Sequence, residues 1–167
     1  MTSNLKPDLV RSLGPLSGDL KSRLTLPEGF RFLREGDVGQ AFQTGNEIMD
    51  RYVLRDYHRW SLLPNDLVVL YEVGARIAGI IELRINGDHI VVDMVGSNAL
   101  IQAPGVGTKL MSLAENFARQ LAIGEIRLDS LDDVVPWYGL FGYAQYADRY
   151  YDAELGCWLS PMKKLIR

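Results

Sequence analysis

HIVVDMVGSNALIQAPGVGTKLMSLAENFARQL, residues 89–121, is the stretch on which the reading of the whole chain turns. Residues 89–95 are apolar apart from His89 and Asp93 and rich in Val, the composition of a buried strand. Farther on, Leu110, Leu113, Ala114, Phe117 and Leu121 fall on one face at helical spacing, with Lys109, Ser112, Asn116 and Arg119 on the other. Between strand and helix lies the turn Gln102-Ala103-Pro104-Gly105-Val106-Gly107. A strand, a glycine turn and a helix place unpaired helix N-terminal amides, and the positive end of the helix dipole, at the end of a sheet. Glycines let the backbone approach a bulky anion, and the amides of Val106, Gly107 and Thr108 can point outward together, as at a phosphate site. A plain tight turn has the same glycines. The segment fits neither the dinucleotide fingerprint nor the Walker pattern.

Upstream, LVVLYEV (67–73), the turn Gly74-Ala75, and RIAGIIELRI (76–85) read as a hairpin, and Asn86-Gly87-Asp88 turns the chain into the strand at 89–95. Three antiparallel strands in sequence order follow from this. Before them, FRFLRE (30–35) alternates as a short strand, Asp37 is placed to cap a helix to about Asn46, and a second helix is predicted from Glu47 to about His58. After the amphipathic helix, Gly124 is a stop, EIRLDSL (125–131) is a strand and Val134 to Phe141 a short helix. The segments from Tyr143 to Arg149 and from Leu155 to Pro161 are a last pair of strands. The order is β, α, α, β, β, β, α, β, α, β, β.

The 167 residues, 47% hydrophobic and 23% charged, suit one domain with a well-filled core. Net charge is −3, so there is no basic field to draw the protein to nucleic acid or an anionic membrane. One cysteine, Cys157, cannot form an internal disulfide, and a buried, inert thiol in a reducing compartment is expected. The first residues carry no apolar run of signal or membrane-spanning length, so a cytoplasmic location is expected. Residues 1–27, rich in Ser, Gly, Pro, Lys and Asp, read as a loosely ordered extension before a domain at 28–167. Its Leu residues can dock on the domain or on a second subunit, and a homodimer is among the expected states.

Gln102-x-x-Gly105-x-Gly107 resembles the Gln/Arg-x-x-Gly-x-Gly/Ala signature of the GCN5-related N-acetyltransferase (GNAT) superfamily. About thirty residues on, after one helix and one strand, Trp137-Tyr138-Gly139-Leu140-Phe141-Gly142-Tyr143 is similar to that family's aromatic-Tyr-x-x-x-Gly-Phe motif. The resemblance covers roughly residues 30–167. It implies an α/β (α+β) fold with a central mixed, mostly antiparallel twisted sheet of six to seven strands flanked by about four helices. It also implies transfer of an acetyl group from acetyl-CoA, as cosubstrate, to a primary amine of a small molecule or peptide within a ternary complex. By the same resemblance the turn residues Ala103, Pro104, Gly105, Val106, Gly107 and Thr108, with Gln102, form the pyrophosphate site, and Val95, Gly96 and Ser97 flank the pantetheine arm. Gly96 would mark a bulge or a close backbone approach. Two departures stand out: Pro104 has no N–H to donate, and Leu131 replaces the Asn that commonly opens the segment before the Tyr motif. Both departures also fit a module that keeps the fold without turnover, and a different acyl-CoA is a third reading.

An alkyl ammonium near pKa 10.4 is only about a thousandth neutral at pH 7, so attack on a thioester needs a proton acceptor. Asp93, an acid among Val91, Val92, Met94 and Val95, stands where the superfamily often keeps a base. It is either that base, or an anchor for the amine, or an ion-pair partner of Arg84 or Arg127; Glu82 is the reserve. By the motif Tyr138 is the proton donor to the CoA thiolate, the alternative being helix packing with Trp137 and Phe141. The acceptor would enter beside Tyr52, Tyr57 and Trp60 and the segment Arg149 to Glu154, aromatic walls with nearby carboxylates that suit an amine. No His, Cys and carboxylate set has metal-ligand spacing, so no metal is implied.

Overall fold

Strands β2 (Asp66–Val73) and β3 (Arg76–Ile85) are apolar almost throughout because both of their faces are covered. In the computed structural model, which describes residues 20–167, successive residues of β2 divide between two cores. Leu67 and Val69 join the core beneath helix α2 (Val106–Gln120), and Val68 and Leu70 join the core beneath α1 (Leu54–Ser61). The period of two in a strand thus becomes a sheet between two helical layers. The predicted amphipathic face of α2 is the buried one: Leu110, Met111, Leu113, Ala114 and Phe117 are at most 2% exposed. Burial of each large side chain there is worth about 1.5–3 kcal/mol.

The eight-stranded sheet runs β1-β2-β3-β4-β5-β8-β6, with β7 also paired to β8. β1 is Phe30–Phe32, β4 Ile90–Ser97, β5 Glu125–Leu131, β6 Ala144–Gln145, β7 Tyr150–Asp152 and β8 Cys157–Leu165. The β2–β3 hairpin closes through Gly74 and Ala75, both at positive φ (58° and 63°), as a right-handed strand twist requires of a two-residue turn. β4 is antiparallel to β3 and parallel to β5, but the parallel ladder holds only at Ile90–Ile126, Val91–Arg127 and Val92–Leu128. The third helix, α3, is Val135–Leu140.

The architecture is the expected mixed, mostly antiparallel sheet with flanking helices, and it differs in detail. Among the described residues there are eight strands, because the segment predicted from Tyr143 to Arg149 pairs only at Ala144–Gln145 and β7 adds a pairing of its own. There are three α-helices among the described residues rather than about four. No helix follows Asp37: its carboxylate receives the Arg31 guanidinium (2.7 and 2.6 Å) and the Arg34 amide (2.7 Å), closing a single turn at Glu35–Asp37. Gly45 then takes φ 82°, which no right-handed helix includes, and only the 3₁₀ turn Met49–Arg51 precedes α1. The β4 bulge is also displaced from the expected Gly96. Glu82 faces Met94 and Leu83 faces Val92, so the extra residue is Asp93, while Gly96 stays in register with Ile80. Gly96 serves instead the close approach, since a Cβ there would lie 2.8 Å from Thr44 Cγ2.

Of the segment expected as a loose extension, residues 1–19 lie outside the described residues. From Leu20 onward the chain is packed: Leu20 and Leu24 are buried in the α2-side core, and Thr25 exchanges hydrogen bonds with the Gln120 side chain (2.8 and 2.9 Å). The apolar spacing there was too sparse to signal this docking. Arg31, held by Asp37, also meets Glu72 of β2 at 3.0 Å, which ties the chain entry to the sheet. The Arg31 guanidinium and the Arg34 amide hold the Asp37 carboxyl below its ordinary value. Such a group contributes stability above the unfolded-state pKa and loses it as pH falls through the depressed folded-state pKa. Asp37→Asn should therefore cost about 2 kcal/mol at neutral pH in urea unfolding, with the deficit vanishing toward acid. A deficit of equal size at every pH would assign the residue a packing role instead.

Candidate active site

Beyond Val92 and Leu128 the ladder between β4 and β5 stops, while β4 continues along β3 and β5 along β8. The two halves of the sheet diverge there, and a cavity of about 690 Å³ opens between them. Helix α2 starts at its end. Its N-cap, Gly105, takes the left-handed conformation (φ 74°) and no side chain caps the first amides. Two glycines let this helix sit where it does. A Cβ on Gly79 of β3 would lie 2.4 Å from Val106 Cγ1 and 2.9 Å from Leu110 Cδ1, and one on Gly107 would lie 2.9 Å from Trp137 Cζ2. Trp137 makes edge contacts with Tyr138 and Phe141, so the α3 aromatic motif is packed directly against the first turn of α2.

The cavity wall includes Asp93, Val95, Gly96, Ser97, Gly107 and Tyr138. Gln102, Pro104, Gly105 and Thr108 are exposed on the turn beside it, Ala103 is partly covered, and the Val106 side chain is buried. Both sequence motifs thus converge on one opening although about thirty residues separate them. Tyr138 is 8% exposed, and burial pushes its phenol up to about 12.

Asp93, the bulged residue, is turned toward Arg84, whose Nε lies 3.3 Å from Asp93 Oδ2; of the two expected ion-pair partners this one is present. Its carboxylate also lies within 4.8 Å of those of Asp66 and Glu82, from β2 and β3, a convergence that sequence spacing did not signal. Glu82, the reserve base, is 0% exposed and is not on the cavity wall, so it cannot touch an acceptor.

Tyr150 and Asp152, from the segment expected beside the acceptor, are on the wall, and so is Asp129, which the sequence did not single out. Asp129 lies two residues beyond Arg127 on β5. In the fold it looks into the opening, and the Tyr150 hydroxyl donates to its Oδ2 at 2.9 Å. Desolvation, and secondarily Asp93, pushes the Asp129 carboxyl up, against the lowering effect of the Tyr150 hydroxyl and Arg84. Tyr150 is itself pushed up by desolvation and by Asp129. Asp152 is held by its Oδ1, which accepts the Leu155 amide at 2.8 Å.

Opposite them stand Thr44, Asn46, Met49, Tyr52 and Trp60. Tyr57, expected in that wall, is 1% exposed and belongs to the core. Buried Asn98 anchors the preceding loop: its Nδ2 donates to the carbonyls of Ile77 (2.8 Å) and Ala41 (3.2 Å), and its Oδ1 accepts the Leu100 amide (3.1 Å). Cys157 is partly exposed rather than buried, and desolvation raises its thiol, which makes it a poor nucleophile. Among the described residues no helix is long and apolar enough to cross a membrane.

Residues 37–166, more than half of the chain, match the family model of the acetyltransferase (GNAT) domain. No curated protein matches the sequence significantly. Among solved structures, Ard1 from Thermoplasma volcanium is 16% identical with a TM-score of 0.65, over 83% of this chain and 97% of that one. The ribosomal-protein-S18-alanine N-acetyltransferase from Escherichia coli is 13% identical with a TM-score of 0.64, over 82% and 92%. A protein assigned as a streptothricin acetyltransferase from Bacillus anthracis, solved with acetyl coenzyme A, is 15% identical with a TM-score of 0.56, over 66% and 69%. At these identities the likeness is one of fold.

Gly79→Ala should lower stability by about 1–3 kcal/mol, because the added methyl overlaps α2 at Val106 and Leu110. Urea unfolding measures it, and an unchanged midpoint would mean that the helix shifts without cost.

Proposed function

The chain belongs to the GNAT acetyltransferase family, and on that premise we propose that it transfers an acetyl group from acetyl-CoA to a primary amine, directly, in the opening between β4 and β5. One observation carries the reading. The uncapped start of α2, the unladdered edge of β4, a desolvated phenol and a desolvated carboxyl all border one cavity. The amides of Val106, Gly107 and Thr108 take the pyrophosphate, with Gln102 beside them, and Pro104 contributes none. Val95, Gly96 and Ser97 flank the pantetheine arm, whose thioester then lies toward Tyr138 and Asp93.

The acceptor arrives as an ammonium ion and gives up a proton to a carboxylate. Asp93 is drawn to Arg84, whereas the Asp129 carboxyl, chiefly through desolvation, is raised above its ordinary value and is the better proton acceptor of the two. Asp129 is therefore assigned the proton, with Asp93 fixing the charge around it. The freed amine attacks the thioester carbonyl, the N–C bond forms and the C–S bond breaks, and CoA leaves as a thiolate that takes up the second proton shed by the acylated nitrogen. A phenol at about 12 stays protonated across the working range and donates a hydrogen bond to that thiolate. Full transfer to a thiol near 8.5 is uphill, so Tyr138 stabilises the leaving group chiefly as a donor. The absence of a long apolar helix among the described residues and the lone Cys fit a cytoplasmic setting.

Acetyl-CoA should stabilise the protein by about 2.7 kcal/mol at a hundred times its dissociation constant, and Gly107→Val should abolish the shift. Tyr138→Phe should bind acetyl-CoA nearly as before and release CoA thiol about a hundredfold more slowly. Turnover within about threefold of the parent would remove Tyr138 from the chemistry, and stabilisation without thiol release from any amine would indicate a binding module.

The pH profile tests the base. Asp129 faces Tyr150 and Asp152 from β7, Asp93 from β4 and Arg84 from β3. The Tyr150 hydroxyl favours its ionised form, so Tyr150→Phe raises the carboxyl further. The acid limb of kcat/KM should move to higher pH in that variant. A limb that stays in place would exclude Asp129 as the group it reports.

A further inference from the structure

Resting on the acetyl-transfer reading, the charges around the same cavity narrow the acceptor. Its wall carries three carboxylates, Asp93, Asp129 and Asp152, and one cation, Arg84. Arg84 is matched with Asp93 at 3.3 Å. Asp129 and Asp152 form no ion pair among the described residues, and each is aimed by a hydrogen bond, from the Tyr150 hydroxyl (2.9 Å) and the Leu155 amide (2.8 Å). Neighbouring charges are matched locally: Arg149 lies 3.5 Å from Asp132, Arg59 pairs with Asp56, and Asp50 receives the Thr44 and Gly45 amides. At the rim, Arg51 and Glu154 act on Tyr52 with opposite sign. The cavity is thus left with two carboxylates that its one cation, Arg84, already paired with Asp93, answers only in part. Buried Tyr52 and Trp60, ring centroids 5.4 Å apart, line its far wall, and Asp152 is close enough to raise the Tyr52 phenol.

We propose that the acceptor is a small dication, a primary amine joined by a short aliphatic linker to a second ammonium or guanidinium group. The amine to be acetylated is received at Asp129, and the second cation at Asp152 beside Tyr52 and Trp60. A cation leaving water needs a partner of opposite charge, and two carboxylates on one cavity wall repel one another until both are answered. A monocation, such as a plain alkylamine or the α-amine of a peptide, leaves one of them unanswered. An aromatic wall beside Asp152 adds attraction for an alkylammonium head.

Calorimetric titration of putrescine and cadaverine against n-butylamine and n-pentylamine tests this, using the full chain with and without CoA. CoA cannot acetylate, so binding is read apart from turnover. The diamines should bind about tenfold or more tightly than the monoamines of equal length. Asp152→Asn and Asp129→Asn, which keep acceptor oxygens for Leu155 and Tyr150, should each cut that advantage to within about threefold. Equal affinity for diamine and monoamine, or an advantage that survives in both variants, overturns the proposal. CoA-thiol release from acetyl-CoA with the same four amines judges the reaction separately. Release without diamine preference leaves acetyl transfer standing and removes the dication, whereas diamine-selective binding without release supports the dication and removes acetyl transfer.

Discussion

Everything in the candidate site depends on how briefly β4 and β5 are paired. Three registers of parallel ladder, Ile90 to Val92 with Ile126 to Leu128, join the β1–β4 half of the sheet to the β5–β8 half. Each strand then follows its other neighbour, β3 or β8, for the rest of its length. A parallel pair cannot be closed by a hairpin; it requires a crossover, and here the crossover is the turn and α2. The helix start therefore falls beyond the carboxyl end of β4, where the strands have parted, and its first turn borders the cavity at Gly107. Gly79 and Gly107 let it sit deep in that position against β3 and Trp137.

The second consequence is electrostatic. The walls of a parted sheet withdraw part of the water from groups along it, so these are driven from their solution behaviour in ways set by their neighbours. Tyr138 has only apolar and aromatic company and is held neutral. Asp129 is raised by the same desolvation, yet remains tied to Tyr150 and near Arg84. A phenol held protonated and a carboxyl raised above its ordinary value thus line one cavity. Asp93 owes its placement to the bulge, because the extra residue turns it toward Arg84.

The acceptor wall is built with little regular structure. Where helices were expected, residues 38–53 form loops and a 3₁₀ turn held by specific polar groups: Asp37 on Arg31, Asp50 on Thr44 and Gly45, and Asn98 on the backbone of Ala41 and Ile77. Gly96 admits Thr44 and Met49 against β4, so loop and strand share one surface. A wall made this way takes its shape from a few side-chain-to-backbone hydrogen bonds rather than from helix packing.

By itself the sequence determined the hairpin of β2 and β3, the strand–turn–helix of β4 and α2, β5 with its limits at Glu125 and Leu131, and the short α3. In each of these, local period and turn chemistry agree, so neighbours along the chain are enough to specify the element. It determined as well that Gly105 and Gly107 belong with Trp137 and Tyr138, through the two motifs. Tertiary structure decided what depends on distant partners. Arg31 took the carboxylate that would have capped a helix after Asp37, and the apolar cores took Leu20, Leu24 and Tyr57. The bulge went to Asp93, because strand register is a property of a pair and not of one strand. Asp129 carries no signal in the sequence, and Asp152 is marked there only as one of the carboxylates in the segment Arg149 to Glu154. They become neighbours across one cavity only when β4 and β5 separate, since charge in a cleft depends on what the fold gathers around it and leaves no period in the chain.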